Sequence, residues 1–322
     1  MSQTNMRLGV VMDPIESITP KKDSTLAMLL EAARRGAEIH YLRQGDLRLV
    51  GGDAYGRSRL LSVRDKLDDW FSFGASADIR LADLDVILMR KDPPFDMEYI
   101  YSSYILERGE AGGALVVNKP QSLRDMNEKA YTAWFPDCAP RMLVTRSMAD
   151  MKQFLTEHRR IVVKPLDGMG GRSVFVVVEG DNNANVIFET LTDNGRRFAI
   201  AQAFIPEISN GDKRILLVNG EPVPYALARI PAKGENRGNL VMGAVGEGRD
   251  LTDRDRWICS RVGPVLKERG VIFAGIDVIG DWLTEINVTS PTGIRELDAR
   301  FGINIAGTLF DAIAEILEHK RT

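Results

Sequence analysis

Hydrophobic positions in the first 120 residues come in short runs separated by polar stretches of helical period. Leu8 to Met12 is one such run, ending in Asp13-Pro14. A helix follows, with Asp23 or Ser24 as N-cap, Arg35 near its end and Gly36 as its stop. Ile39 to Leu42 and Leu84 to Met89 read as a second and third strand, and Ala114 to Val117 as another. Alternating strands and helices favour a parallel sheet covered on both faces. Asn118-Lys119-Pro120 leads into a helix expected to carry Asn127, Glu128 and Lys129. Beyond it, β-branched runs at 161–164, 174–178, 215–218 and 271–279 are separated by Gly-rich turns, with helices expected at 148–157, 253–269 and 304–319. The expectation is a parallel α/β domain over residues 1–122, then α+β structure in two β-rich lobes, 123–201 and 202–322.

Composition narrows the function classes. The chain has 322 residues, 42 basic against 45 acidic, with a formal charge of −3, so no global field gathers nucleic acid or an anionic membrane. No run approaches the roughly 18 apolar residues of a membrane span, and Met1 to Met6 does not open a signal peptide, so the expected location is the cytoplasm. Cys138 and Cys259 lie apart from each other and from His40, His158 and His319. That pattern fits a reducing compartment and gives neither a zinc motif nor a Cys–His nucleophile.

Four segments carry candidate chemistry. In a parallel sheet, ligands collect beyond the carboxyl ends of the strands, here Asp13 and Arg90-Lys91-Asp92; the same residues also read as solvated loop charges. Lys164 ends a strand and faces Gly168-Met169-Gly170-Gly171, so an ammonium and several backbone N–H groups can surround a polyphosphate. The loop is not a P-loop, since no G-x-x-x-x-G-K-S/T occurs, nor a dinucleotide fingerprint, since it joins two strands; alone it reads rather as a hairpin without ligand. Ala274 to Asn287 reads as a hairpin turning at Gly280-Asp281. Glu285 and Asn287 share a strand face and Asp277 stands nearly opposite, which gives three oxygen groups suited to Mg²⁺. Gln202 to Ile205, ahead of a polar turn over 209–214, reads alone as a plain strand and turn, or else as an apolar linker able to cover adenine; Arg229 to Asn239 is a charged loop that reads either as ordinary surface or as a lid able to close.

Together, Met89 to Asp96, Asn118-Lys119-Pro120, Lys164 to Gly171 and Glu285 to Glu296 resemble, in order and spacing, the bacterial glutathione synthetase family over nearly the whole chain. The resemblance implies an ATP-grasp ligase of three domains around one active site, a homotetramer. It would join γ-glutamylcysteine to glycine through an acyl phosphate, with ATP as substrate and Mg²⁺ as the metal, Mn²⁺ being the alternative. By similarity Lys129 and Lys164 bind the phosphates, Gly168, Met169, Gly170 and Gly171 cover them, Gln202, Ala203, Phe204 and Ile205 hold adenine, and Asp212 belongs to the nucleotide site. Asp277, Glu285 and Asn287 would hold the metal. Arg214, Arg229 and Arg295 are candidates for the reacting carboxylate, and Asp13, Arg90, Arg237, Asn239, Ser290 and Thr292 for the rest of the substrate. Arg172 departs from the small residue expected after the glycines. The rivals are an ATP-grasp ligase adding another amino acid, and a silent ATP-binding module.

Overall fold

The computed structural model describes residues 6–232 and 245–321. The first sheet comprises β1 (Arg7–Val11), β2 (Glu38–Leu42), β3 (Leu47–Val50), β4 (Asp53–Val63), β5 (Phe71–Arg80), β6 (Val86–Met89) and β7 (Leu115–Val117). Its order is β3-β4-β2-β1-β6-β7, with β5 paired to β4. The four strands β2, β1, β6 and β7 are parallel, as the apolar runs indicated. Strands β3 to β5 add an antiparallel extension. In β5, Phe71-Ser72-Phe73-Gly74-Ala75-Ser76-Ala77, only Phe71 and Phe73 alternate as half-buried residues before a long exposed stretch, so it does not read as an apolar run.

Helix α1 (Ser24–Arg34) begins where the Asp23 carboxylate accepts the Leu26 N–H at 2.6 Å, an N-cap that the sequence announces. Helix α2 (Met97–Ala111) was not legible: it buries Ser102, Ser103 and Gly109 while exposing Met97, Tyr101 and Tyr104, so its pattern reads inverted. Helix α3 (Pro120–Asp125) is shorter than expected. The Asn127 Oδ1 accepts N–H groups from Lys129 at 3.1 Å and Ala130 at 2.9 Å, which turns the chain out of the helix. Asn127, Glu128 and Lys129 therefore sit in a turn, not on a helix.

A second sheet, order β10-β9-β11-β8, holds β8 (Met142–Thr145), β9 (Arg160–Pro165), β10 (Phe175–Val178) and β11 (Ala199–Ala203), all antiparallel. Helices α4 (Met148–His158) and α5 (Ala184–Thr192) pack on it, and Met151, Phe154, Ile161, Val163 and Phe188 form its separate core. The third sheet, order β14-β13-β12-β15-β16, holds β12 (Asp212–Val218), β13 (Glu221–Ile230), β14 (Val245–Asp250), β15 (Phe273–Ile279) and β16 (Trp282–Asn287). Helices α6 (Asp253–Glu268), α7 (Ile294–Phe301) and α8 (Ile305–Arg321) complete the chain. The turn expected over 209–214 ends earlier, since Asp212, Lys213 and Arg214 are the first residues of β12. Alternation explains it: Asp212 and Arg214 face one side, while Lys213 reaches the buried Asp255 at 2.5 Å on the other.

The first and third sheets share a core, in which Leu8, Val10, Leu29, Leu216, Leu309, Phe310 and Ile313 belong to one cluster. The buried Asn118 amide locks that seam. Its Nδ2 donates to Phe273 O at 2.6 Å and Val288 O at 2.7 Å, and its Oδ1 accepts from Ile272 N and Phe273 N at 2.8 Å. All four hydrogen bonds go to the ends of β15 and β16, the hairpin that carries Asp277 and Glu285. Among the described residues no helix is long and apolar enough to cross a membrane.

Candidate active site

A cavity of about 380 Å³ opens between the second and third sheets, and its floor is a row of charges laid across neighbouring strands. Register explains the row. Asp212 on β12 stands opposite Arg229 on β13, Arg214 opposite Asp277 on β15, and Asp277 opposite Glu285 on β16. Arg214 grips the Asp277 carboxylate in a fork, Nε to Oδ1 and Nη2 to Oδ2, the second at 2.9 Å. Arg229 Nη2 lies 2.5 Å from Asp212 Oδ2 and 2.9 Å from Asp277 Oδ2. Gly275 makes room for this grip: a Cβ there would sit 2.8 Å from Arg214 Cδ and 2.9 Å from Pro291 Cβ. Asn287 Nδ2 donates to Asp277 Oδ2 at 3.3 Å.

Two lysines arrive from the other side. Lys164, on β9, reaches across the cleft to Glu285 Oε1 at 3.0 Å and so bridges the two β-rich sheets. Lys129 donates to Glu128 Oε1 and to the Gly168 carbonyl at 2.7 Å, with Glu285 Oε1 3.8 Å away. It thereby tethers the glycine-rich turn, where Gly170 and Gly171 take positive φ angles of 68° and 75° that a side chain would strain.

Burial makes these charges matter. Desolvation opposes ionisation of Asp277, but Arg214 and Arg229 outweigh it and hold the carboxyl below its usual range. Glu285 is likewise lowered, against burial, by Lys129 and Lys164. Asp212 goes the other way: burial, with Asp277 and Glu285 nearby, outweighs Arg229 and lifts it to about 7. Glu128 is also raised, first by burial and then by the Glu285 charge. Lys129 loses some proton affinity to burial and regains more from Glu285 and Glu128, so it stays firmly charged.

Of the residues singled out in the sequence, Lys129, Lys164, Gly168, Met169, Gly170, Gly171, Gln202, Ala203, Phe204, Ile205, Asp212, Arg214, Arg229, Asp277, Glu285, Asn287, Ser290 and Thr292 all line this one cavity. Gln202 and Ala203 belong to β11 and not to a free linker. The ladder consumes backbone donors there, Ala203 N–H going to Arg141 O and Phe204 N–H to Arg160 O, while the buried Gln202 Nε2 has no partner among the described residues. Three of the candidate residues lie elsewhere. Asp13 is tied to Lys91 at 3.0 Å and accepts the Asp92 N–H. Arg90 is buried behind the wall, donating to Thr25 Oγ1 at 3.1 Å and Pro291 O at 2.9 Å. Arg295 pairs with Asp65 at 2.8 Å and does not line the cavity with Arg214 and Arg229. Arg237 and Asn239, with most of the expected lid, fall outside the described residues.

Asp92, one of the charges expected beyond the strand ends, also lines the cavity, whereas sequence reasoning missed Glu128, Thr284 and Thr289, which line it too. Only Glu128 had a signal, its place beside Lys129 in the turn made by Asn127. Among the described residues no three His, Cys, Asp or Glu side chains surround one point. The donor set of two carboxylates, Asp277 and Glu285, with the Asn287 amide nonetheless suits a hard divalent cation that completes its shell with phosphate and water. The buried Asp212 Oδ1, which has no hydrogen-bond partner among the described residues, adds a further hard oxygen in the same cavity.

Comparison with known proteins gives consistent findings. Residues 6–124 match the model of the prokaryotic glutathione synthetase N-terminal domain, and residues 128–302 that of the prokaryotic glutathione synthetase ATP-grasp domain. The chain is 59% identical over 315 residues to the glutathione synthetase of Escherichia coli strain K12, covering 98% of this chain and 100% of that one. It is 60% identical over 308 residues to that of Salmonella typhimurium, covering 96% and 98%. Among solved structures, D-cycloserine synthetase DcsG matches with a TM-score of 0.67 at 16% identity, covering 96% of this chain and 99% of that chain. D-alanyl-alanine synthetase A from Vibrio cholerae matches with a TM-score of 0.61 at 11% identity, covering 98% and 99%. At such identities these two speak for a shared ATP-grasp architecture alone.

Proposed function

We infer the chemistry from one premise: the chain belongs to the prokaryotic glutathione synthetase family and is an ATP-dependent ligase that makes glutathione. The observation that carries the mechanism is the convergence of Lys129, Lys164, Arg214 and Arg229 on one cleft floor with Asp277, Glu285 and Asn287. ATP lies under the glycine-rich turn with its adenine beside Gln202 to Ile205. Lys129 and Lys164 leave their carboxylate partners for phosphate oxygens. A divalent cation, which we take to be Mg²⁺, would be held by Glu285 and Asn287, with Asp277 behind them, and would offset the charge of the terminal phosphate.

The cysteinyl carboxylate of γ-glutamylcysteine attacks the γ-phosphorus, and ADP leaves. The product is an acyl phosphate, whose carbonyl carbon glycine's free amine then attacks, expelling phosphate as the amine loses its proton. Negative charge builds on oxygen in both steps, and Arg214 and Arg229 are already oriented to meet it. No side chain acts as a nucleophile, in keeping with the buried thiol of Cys259, pushed up to about 12 by its surroundings, first by desolvation. A homotetramer and a cytoplasmic location are further proposals that rest on family resemblance.

The test is phosphate release by purified protein with ATP and Mg²⁺. Release that requires both γ-glutamylcysteine and glycine, and is at least ten times slower with D-alanine or glutamate pairs, supports this reading; a different preferred acid–amine pair overturns it.

A further inference from the structure

Helix α2 turns its bulky side chains outward. On its inner side it presents Tyr99, Ser102, Ser103, Leu106 and Gly109, all buried. The helix itself occupies the two hydroxyls, Ser102 Oγ donating to Glu98 O at 2.8 Å and Ser103 Oγ to Ile100 O at 2.6 Å. A Cβ on Gly109 would stand 3.0 Å from Leu81 Cβ, so small residues let the helix lie close against its neighbours. Met97, Tyr101 and Tyr104 are 53%, 50% and 47% exposed. With Arg108, also exposed, they follow the i, i+4, i+7, i+11 spacing of one helix face, a stripe about 16 Å long.

Scattered apolar residues on a surface need no explanation, but a continuous row does. Tyrosine, methionine and arginine are the residues that the buried centre of a protein–protein contact favours. The face extends beyond the helix, because Arg108 Nε donates to Gly52 O at 2.9 Å and so fixes the β3–β4 turn, with exposed Leu49 and Val50 just before it, beside the end of the stripe.

The charges on α2 select the occupant. Exposed Glu98 stands near the N-terminal end and Arg108 near the C-terminal end, and neither has an ion-pair partner among the described residues. Glu107, beside Arg108, is already taken by Arg124 at 2.7 Å. A two-fold axis midway between Tyr101 and Tyr104 would run a second α2 antiparallel to the first. Each Tyr101 then meets Tyr104 of the other copy, and each Glu98 the other copy's Arg108. A stripe whose ends complement each other is what an isologous contact requires.

We propose that α2 is a docking surface for a second copy of this chain, the two helices packing antiparallel with their tyrosines interleaved. This rests on the assembly proposed above and names one of its contacts. The cavity with the charge row is lined by a single chain, so the contact joins copies without completing the site.

The experiment is sedimentation equilibrium of the purified full-length protein at micromolar concentration. Wild-type protein is expected to contain an even number of chains, and Tyr101→Glu with Tyr104→Glu to halve that mass with its circular dichroism unchanged. Arg108→Glu should weaken association at least about tenfold, and adding Glu98→Lys should restore it. If the tyrosine variant fails to fold, Tyr101→Cys decides: bis-maleimidoethane should link two chains covalently, since the native Cys138 and Cys259 are buried. A wild-type protein that sediments as one chain overturns the assembly and this contact together. A multimer whose mass the folded tyrosine variant leaves unchanged, as expected of a face that serves another protein or none, overturns the contact alone, as does a Tyr101→Cys protein that does not cross-link. The ligase reading, which phosphate release tests, stands or falls separately.

Discussion

The cleft floor has two halves that look alike in composition and differ in construction. On one side Arg214 and Arg229 share Asp277; on the other Lys129 and Lys164 share Glu285. The arginine half is fixed by forked bonds among three adjacent strands and is almost fully buried. The lysine half consists of point contacts made to Glu285 across the cleft, with one lysine also holding the glycine-rich turn through Gly168. Planar guanidinium suits the first task and a single-point ammonium the second. The difference supports the proposed division of labour, in which the arginines form a permanent electrostatic frame and the lysines are placed to exchange a carboxylate for an incoming phosphate.

Removing the anion of each half separates the two roles. Asp277→Ala should cost about 3–5 kcal/mol of stability, since it strands the buried Arg214 guanidinium and leaves Arg229 only Asp212, and urea unfolding measures it. A loss under 1 kcal/mol would mean that the frame is no frame. Glu285→Ala should lower kcat/KM by at least about 100-fold, with a much smaller shift in the urea midpoint. Metal-dependent phosphate release at near-normal rate in that variant would remove Glu285 from the ion. Lys129→Met should raise KM for ATP by about tenfold, the value of one charged contact to phosphate, while leaving unfolding within about 1 kcal/mol. An unchanged KM would return Lys129 to a purely structural tether.

The smallest effect concerns pH. Asp212 is raised to about 7 in the folded chain and titrates near 4 when unfolded, so the folded state keeps an extra proton between those values. Stability contributed by this group is therefore present below about pH 4 and is lost as pH rises towards 7. Asp277, lowered, contributes with the opposite sign, its share disappearing only in stronger acid. Asp212→Asn should flatten the decline in urea midpoint between pH 4 and pH 8; an unaltered slope would show that Asp212 is ionised throughout.

What the sequence disclosed follows from what each residue does locally. The hairpin of Asp277, Glu285 and Asn287 was legible because Ile276, Val278 and Ile286 supply the alternate buried face. The capped helices α1, α4, α6 and α8 were legible for the same reason, their apolar stripes being bounded by caps or breakers. Strand β5 and helix α2 were not, since one exposes nearly all its residues and the other buries serines. Arg90 and Asp13 stand beyond strand ends, where ligands gather, but each is consumed by a neighbour that no local pattern reveals: Pro291 O, 201 residues on, and Lys91. Arg295 was grouped with the catalytic arginines by resemblance, and only the packing of α7 against residues 64–70 separates it from them. Glu128 required knowledge of where α3 ends, which Asn127 decides through two hydrogen bonds.

On the proposed reading, the fixed cations and a divalent ion serve phosphoryl transfer to the dipeptide's carboxylate. Label that carboxylate with ¹⁸O and analyse the phosphate formed in one turnover by mass spectrometry. Transfer of one labelled oxygen to phosphate for each peptide made is the result expected of an acyl phosphate; phosphate free of label, formed alongside peptide, would contradict it.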